Sequence, residues 1–212
     1  MNSIIVATGN RGKLREIREI LSGLPVELVA LKEVFTPVPM IPETGSTFFE
    51  NAAIKARWVY ERKKTWSLAD DSGLDVDFLG GAPGVQSARY AGDGATDRRR
   101  CEKLLAAMAA CPLEKRTCRF RCVIVMKISE TEEVVSEGVC EGRLGWEPLG
   151  TDGFGYDPLF FPLGYDRTFA QLLPSEKNRI SHRAKALFGL RRTLDERFGI
   201  TGTNGSAENS RR

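Results

Sequence analysis

The 212-residue sequence has one histidine, His182, and no Cys-x-x-Cys pair among its five cysteines, Cys101, Cys111, Cys118, Cys122 and Cys140. A structural zinc site needs about four Cys or His ligands in short paired spacings, so that class is excluded. An odd number of cysteines, with no export signal, argues against a disulfide framework. Cys118 and Cys122 alternate with other residues beside Phe120, Ile124 and Met126 and read as small apolar fillers on one strand face. No apolar run approaches the roughly 20 residues a membrane span requires. Met1 to Gly9 has no basic leader and only a short apolar stretch, so no signal peptide is expected and the cytosol is the expected compartment. Charge of one sign is scarce as well: 31 Lys and Arg against 28 Asp and Glu leave a net +3. A nucleic-acid binder concentrates basic charge on one face, and no such partner is expected here. There is no Gly-x-Ser-x-Gly elbow, which counts against a serine hydrolase built on Ser72 and His182.

What is present is an ordinary folded composition, 42% hydrophobic and 28% charged. At roughly 150 residues per domain, the length fits one domain or two lobes sharing a core. Apolar periodicity alternates between strand and helix. Ile4–Ala7 reads as a strand, Thr8–Gly12 as a turn, and Leu14, Ile17, Ile20 and Leu21 as a helix face. Val26–Leu31 reads as a second strand. Thr47 and Glu50 form a capping box ahead of a helical stripe of Phe49, Ala52, Ala53, Ala56, Val59 and Tyr60. Trp66–Ala69 reads as a strand that ends at Asp70-Asp71-Ser72-Gly73. Thr96 is placed to cap a helix through Cys101, Leu104, Leu105 and Met108, with Arg98, Arg99 and Arg100 as its solvated face. Thr117–Ile128 and Glu133–Leu144 read as two long neighbouring strands. Ser181 caps a last helix with Leu187, Leu190, Leu194 and Phe198 inward. The fold class is mixed α/β with long strands in a central sheet. Residues 1–200 form a single domain, and 201–212, without large apolar residues, read as a disordered tail.

Four polar clusters fall where the loops are expected, the usual place for ligands in open α/β sheets. Thr8, Gly9, Asn10, Arg11, Gly12 and Lys13 form a glycine-bearing turn that opens a helix. Such a turn offers backbone N–H groups and a positive dipole end to an anion, or is simply a βα turn. Its spacing fits neither a Walker loop nor a dinucleotide fingerprint. Asp70 and Asp71 suit Mg²⁺, a hard cation that takes oxygen ligands, or serve as turn caps. Glu43 precedes Glu50, Asn51 and Lys55. Glu50 is accounted for by the capping box, which leaves Glu43 as the better second metal ligand. Phe154, Gly155, Tyr156 and Asp157, with Lys177, His182 and Arg183, combine aromatic surface, a carboxylate and cations suited to a base and its phosphates. Together the clusters describe a Mg²⁺-dependent enzyme acting on a nucleoside phosphate.

Six segments in order resemble one family: Thr8–Lys13, Glu43-Thr44-Gly45 with Phe48, Glu50, Asn51 and Ala52, Ala69–Leu74, Gly80–Gly84 with Ser87–Tyr90, Gly153–Pro158, and Ser181–Arg183. The chain is similar to the noncanonical purine NTP pyrophosphatases, the inosine and xanthosine triphosphate pyrophosphatases of the Ham1 type, from about residue 3 to about residue 195. The resemblance implies a long curved sheet flanked by helices, two lobes with a cleft between them, and a homodimer. It implies that ITP, dITP or XTP and water give the monophosphate and pyrophosphate with Mg²⁺, which clears deaminated purines from the nucleotide pool. Residue by residue, Thr8–Lys13 would bind the triphosphate, and Asp71 would be proton acceptor and metal ligand with Glu43 nearby. Ser72 would contact substrate, and Phe154–Asp157, Lys177, His182 and Arg183 would line the base and phosphate pocket.

The expected chemistry is attack of an Asp71-positioned water on the α-phosphorus, with Lys13 and Lys177 offsetting charge. A donor such as Arg183 or a backbone N–H would favour the 6-oxo group of hypoxanthine and xanthine over the 6-amino group of adenine. Two alternatives differ in class. A Maf-type pyrophosphatase would take other modified nucleotides, and a nucleotide-binding regulatory module would bind without releasing pyrophosphate.

Overall fold

Alternation along the strands decides what faces what. In β1 (Asn2–Val6), Ile4 and Val6 face one side of the sheet, and Ile5 with the adjoining Ala7 face the other. In the computed structural model, which describes residues 2–199, the chain continues through α1 (Arg11–Ile20), β2 (Val26–Ala30), the short α2 (Leu31–Val34), α3 (Phe48–Lys63) and β3 (Ser67–Val76). It goes on through α4 (Asp97–Ala107), β4 (Thr117–Lys127), β5 (Glu133–Leu144), β6 (Phe160–Pro162), α5 (Pro174–Ile180) and α6 (His182–Phe198). The six strands form one mixed sheet in the order β2-β1-β3-β4-β5-β6. β1 runs parallel to β2 and β3, and β3, β4, β5 and β6 pair antiparallel. The sequence expectation for 201–212 lies outside the described residues. No described helix is long and apolar enough to cross a membrane.

Both sheet faces are covered. Ile4, Val6, Leu68, Ile124 and Met126 pack with Ile17 of α1 and Leu187, Leu190 and Leu194 of α6. Ile5, Ala7, Ala69, Val123 and Val125 pack under Ala52, Ala56 and Val59 of α3. The far half of the β3–β4 pair is covered by Cys101 and Leu104 of α4, by Met108 just after it, and by Tyr156, Phe160 and Phe169. All five cysteines are free and buried, and Cys118 and Cys122 fill the strand face as expected.

Three expectations need correction. The strand containing Trp66–Ala69 does not end at Asp70: β3 starts at Ser67 and pairs residue for residue with β4 down to Val76↔Cys118. Its carboxylates stay in the ladder because cations from other elements meet them there. In α3, Phe48 points inward and Phe49 is exposed, since the inward stripe is Phe48, Ala52, Ala56 and Val59. Phe198 sits at the rim, 36% exposed, with its ring 5.5 Å from Trp66.

One close approach fixes the position of α6. A Cβ on Gly138 of β5 would stand 2.0 Å from the His182 carbonyl oxygen and 2.6 Å from the Ala186 nitrogen. Both contacts are helix backbone, which cannot swing aside. Gly138→Ala is therefore expected to lift α6 off the sheet, at a cost of about 1–3 kcal/mol, or a Tm lower by roughly 5 °C. Because His182 and Arg183 open α6, turnover should fall with it. Thermal unfolding and an activity assay on the same preparation check both effects.

Candidate active site

β1 pairs with β3 only at Ser67 and Leu68. Beyond them, β3 from Ala69 to Leu74 has no strand beside it on that edge among the described residues. This unpaired edge is the floor of a cleft of about 360 Å³ lined from many separate parts of the chain, a size suited to a small-molecule ligand.

The strand period separates the two adjacent aspartates. Asp70 follows the Leu68 side, toward α1 and α6, and Asp71 follows the Ala69 side, toward α3. Asp71 meets Asn51, whose Nδ2 donates to Asp71 Oδ2 at 3.2 Å, and Lys55, whose Nζ is 3.7 Å from Asp71 Oδ1. Lys55 Nζ also donates to Glu43 Oε1 at 2.5 Å and to the Asp70 carbonyl at 2.8 Å. Burial pushes the Asp71 carboxyl up; Lys55 and Lys13 pull against it, Glu43 adds to it, and the net pKa lies above the ordinary aspartate value. Burial also pushes Glu43 up, but Lys55, Lys13 and Arg89 outweigh it and hold Glu43 below its usual range. Arg89 Nη2 donates to the Glu43 carbonyl at 3.3 Å and steadies the segment before α3. Glu50 does what the capping box required, accepting from the Ser46 and Thr47 N–H groups.

On the other side, three carboxylates meet three cations. Asp70 Oδ2 is 3.1 Å from Lys13 Nζ and 3.0 Å from Arg183 Nη2. Glu16 of α1 accepts from Lys177 Nζ at 2.8 Å and from Arg183 Nη1. Asp157 Oδ2 accepts from Lys177 Nζ at 2.6 Å and from the Phe154 N–H at 2.9 Å. Arg183 Nη2 also donates to Ser72 Oγ at 2.9 Å. Arg183, Asp70, Lys177, Glu16 and Asp157 are all buried. Burial disfavours the charged form of such groups, and their mutual pairing offsets that cost.

The turn after β1 is ordered by its own side chains. Asn10 caps α1 by accepting from the Lys13 N–H at 3.1 Å, and the Asn10 N–H donates to Thr8 Oγ1 at 3.2 Å. Gly12 has a steric reason: a Cβ there would lie 2.6 Å from the Phe154 ring. That ring also lies 4.8 Å from Lys177 Nζ and 5.6 Å from Arg183 Cζ, within range of a cation–π attraction. The His182 ring stacks on Phe120, centroids 4.7 Å apart and planes 13° from parallel. Burial, then Arg183 and Lys177, hold His182 well below the usual histidine pKa, so its imidazole is neutral. Its Nδ1 is buried without a hydrogen-bond partner among the described residues. Tyr156 is anchored in the core, its hydroxyl donating to the Ser87 carbonyl at 2.9 Å.

Of the residues singled out by sequence, Thr8, Gly9, Asn10, Lys13, Glu43, Asp71, Ser72, Phe154, Gly155, Tyr156, Asp157, Lys177, His182 and Arg183 all line this cleft. Gly12 stands behind Phe154, and Arg11 is exposed and does not line the cleft. Sequence reasoning left Glu16 and Asn51 without a role and gave Lys55 none either. It also took Arg100 for part of a solvated face, whereas Arg100 is half-buried and lines the cleft.

Asp71 and Glu43 are the residues that fit a metal. They come from different segments, supply oxygen only, and both approach the Lys55 ammonium. Among the described residues no group of three or more His, Cys, Asp or Glu converges as a cage. Two carboxylates on the wall of an open cleft suit Mg²⁺, which keeps several waters and shares substrate phosphates.

The chain is similar to known proteins over most of its length. A family model described as the Ham1 family matches residues 4–193. The chain is 48% identical over 192 residues to a dITP/XTP pyrophosphatase of Vibrio parahaemolyticus, covering 90% of this chain and 95% of that one. It is 46% identical to a dITP/XTP pyrophosphatase of Geobacillus kaustophilus over 95% of this chain and 98% of the other. Among solved structures, a HAM1 protein from Coxiella burnetii superposes with a TM-score of 0.84 at 45% identity, over 92% of this chain and all of that one, 100%. The Staphylococcus aureus Ham1 protein gives a TM-score of 0.82 at 36% identity, covering 92% and 99% of the two chains.

Proposed function

This chain belongs to the Ham1 family, and on that premise we propose that it hydrolyses dITP, ITP and XTP to the monophosphate and pyrophosphate, removing deaminated purines from the nucleotide pool. One observation supports the reading most: Lys13, Asp71, Phe154 and His182, from four separate segments, face a single cleft of nucleotide size.

The roles follow from the contacts. Lys13 stands on the turn after β1 and reaches the phosphates, its charge balanced by Asp70 until substrate arrives. Asp71, held by Asn51 beside Lys55, orients a water toward the α-phosphorus and takes its proton. Lys55 carries positive charge between Asp71 and Glu43, close to where the leaving pyrophosphate gains negative charge. Phe154 offers its face to the purine, with Lys177 and Arg183 held against it by Glu16, Asp70 and Asp157. Neutral His182, stacked on Phe120, and Arg183 beside it close the same wall, where Arg183 or a backbone N–H supplies the donor. A 6-oxo base satisfies a donor there, and adenine leaves it mismatched. Asp71 and Glu43 would hold Mg²⁺, which when bound neutralises phosphate oxygens. The enzyme acts as a homodimer in the cytosol; its mass in solution, one or two times 23.5 kDa, tests the first of these.

A substrate panel with Mg²⁺ tests the reading. ITP, dITP and XTP should be turned over with kcat/KM at least about 100-fold above ATP, the scale of discrimination set by a mismatched buried polar group. Preference for a modified pyrimidine triphosphate would move the chain to the Maf-type alternative. Tight binding without pyrophosphate release would make it a regulatory module.

A further inference from the structure

Asp97 is the first residue of α4, and its carboxylate leaves that helix for another segment. Its Oδ2 accepts from the Gly155 N–H at 2.7 Å. Its Oδ1 accepts from Arg100 Nη2 at 2.6 Å, and Arg100 Nη1 donates to the Ala88 carbonyl at 2.9 Å. An acid in a first helical turn is already favoured by the helix dipole, and a partner three residues on is a common helix pair. Neither explains the bond to Gly155, which crosses 58 residues of chain.

Gly155 follows Phe154, and the two successive N–H groups end on two different carboxylates. The Phe154 N–H donates to Asp157 Oδ2 at 2.9 Å, and the Gly155 N–H donates to Asp97. Gly155 has φ of +64°, left-handed backbone that suits glycine. The Phe154 ring edge approaches Gly12, Lys177 Nζ and Arg183 Cζ lie 4.8 and 5.6 Å from its centroid, and the backbone beside it is held by Asp157 and by Asp97. Asp157 is locked by Lys177. Asp97, with 45% of its side chain exposed, is the anchor reached from another helix.

We propose that Asp97 is a positioning residue for purine recognition: by holding the Gly155 N–H it fixes the Phe154 ring against which the base is seated. This rests on the functional reading given above. A mispositioned ring weakens substrate and transition state alike, so the defect falls on KM and spares kcat.

The test compares Asp97→Ala, Asp97→Asn and Thr96→Ala. Thr96 caps α4 by accepting from the Arg99 N–H and makes no hydrogen bond to the loop among the described residues, so it reports what weakening α4 does by itself. Steady-state kinetics with dITP and amide hydrogen exchange at Gly155, followed by NMR, are measured for each. Asp97→Ala should raise KM roughly tenfold, as expected for loss of one charge-assisted hydrogen bond, with kcat changed less than about twofold. Its Gly155 amide should exchange faster. Asp97→Asn keeps an acceptor oxygen and should stay near wild type in both readouts. Thr96→Ala should lower Tm and leave KM alone. An equal KM rise in Thr96→Ala, or unchanged Gly155 exchange in Asp97→Ala, would overturn the proposal. If the wild-type protein does not turn over dITP, the purine role falls with the functional reading, and Gly155 exchange still decides whether Asp97 holds the loop.

Discussion

Asp71→Asn should lower kcat with dITP by about 10³-fold or more, the scale expected for a residue that both positions and deprotonates the attacking water. The variant should still bind nucleotide, measured without Mg²⁺, because Lys13, Phe154 and His182 are untouched. It should also fold normally. The amide is nearly the same shape, and Lys55 keeps its bond to Glu43. Burial disfavours the Asp71 charge in any case, so removing that charge relieves a cost. The expected pattern is thus an inactive protein of near wild-type Tm. An Asn variant with near wild-type turnover would remove Asp71 from the mechanism.

Asp70→Asn, one residue earlier, should fail in the opposite way: the protein loses stability first. Asp70 is fully buried between Lys13 and Arg183. Its removal leaves buried positive charge under-compensated, a change that costs about 3–5 kcal/mol, or a Tm lower by roughly 10 °C for a chain of this size. Its pH dependence is equally specific. Burial pushes the Asp70 pKa up, but Lys13, Arg183 and Lys55 outweigh it and hold the carboxyl well below the ordinary aspartate value. A carboxylate whose folded pKa lies under its unfolded value, about 3.9 for Asp, contributes fully above that value. The contribution is lost as pH falls toward the folded pKa. The stability gap between wild type and Asp70→Asn should therefore be constant near neutrality and narrow below about pH 4. Urea unfolding midpoints across that range measure it. A gap independent of pH would mean that the Asp70 charge does not hold the network.

The contrast between these neighbours shows what was legible beforehand. The strand limits of β5, the caps at Thr47, Thr96 and Ser181, and the grouping of four distant segments into one site could be read from local patterns. The division of labour between Asp70 and Asp71 could not, because it depends on β3 continuing through them. That continuation is set by pairing with β4, some fifty residues away. A signal for the missed residues was present in the helix periods. Lys13, Glu16, Ile17 and Ile20 share one face of α1, and Phe48, Asn51, Ala52, Lys55, Ala56 and Val59 share one face of α3. Arg183 lies on the same α6 stripe as Leu187, Leu190 and Leu194. In each helix a charged or amide side chain occupies an otherwise apolar stripe, where it is tolerated only with a buried partner. Asp97 had no such mark, since its partner is the backbone N–H of a loop 58 positions away.

Hydrolysis of dITP in ¹⁸O-labelled water, with both products analysed by mass spectrometry, tests most directly whether this cleft directs water to the α-phosphorus. Attack there gives dIMP carrying the label and unlabelled pyrophosphate, and that is the expected result. Label in the pyrophosphate would place attack on the β-phosphorus, and formation of dIDP with free phosphate would place cleavage at the other anhydride bond; either result would contradict it.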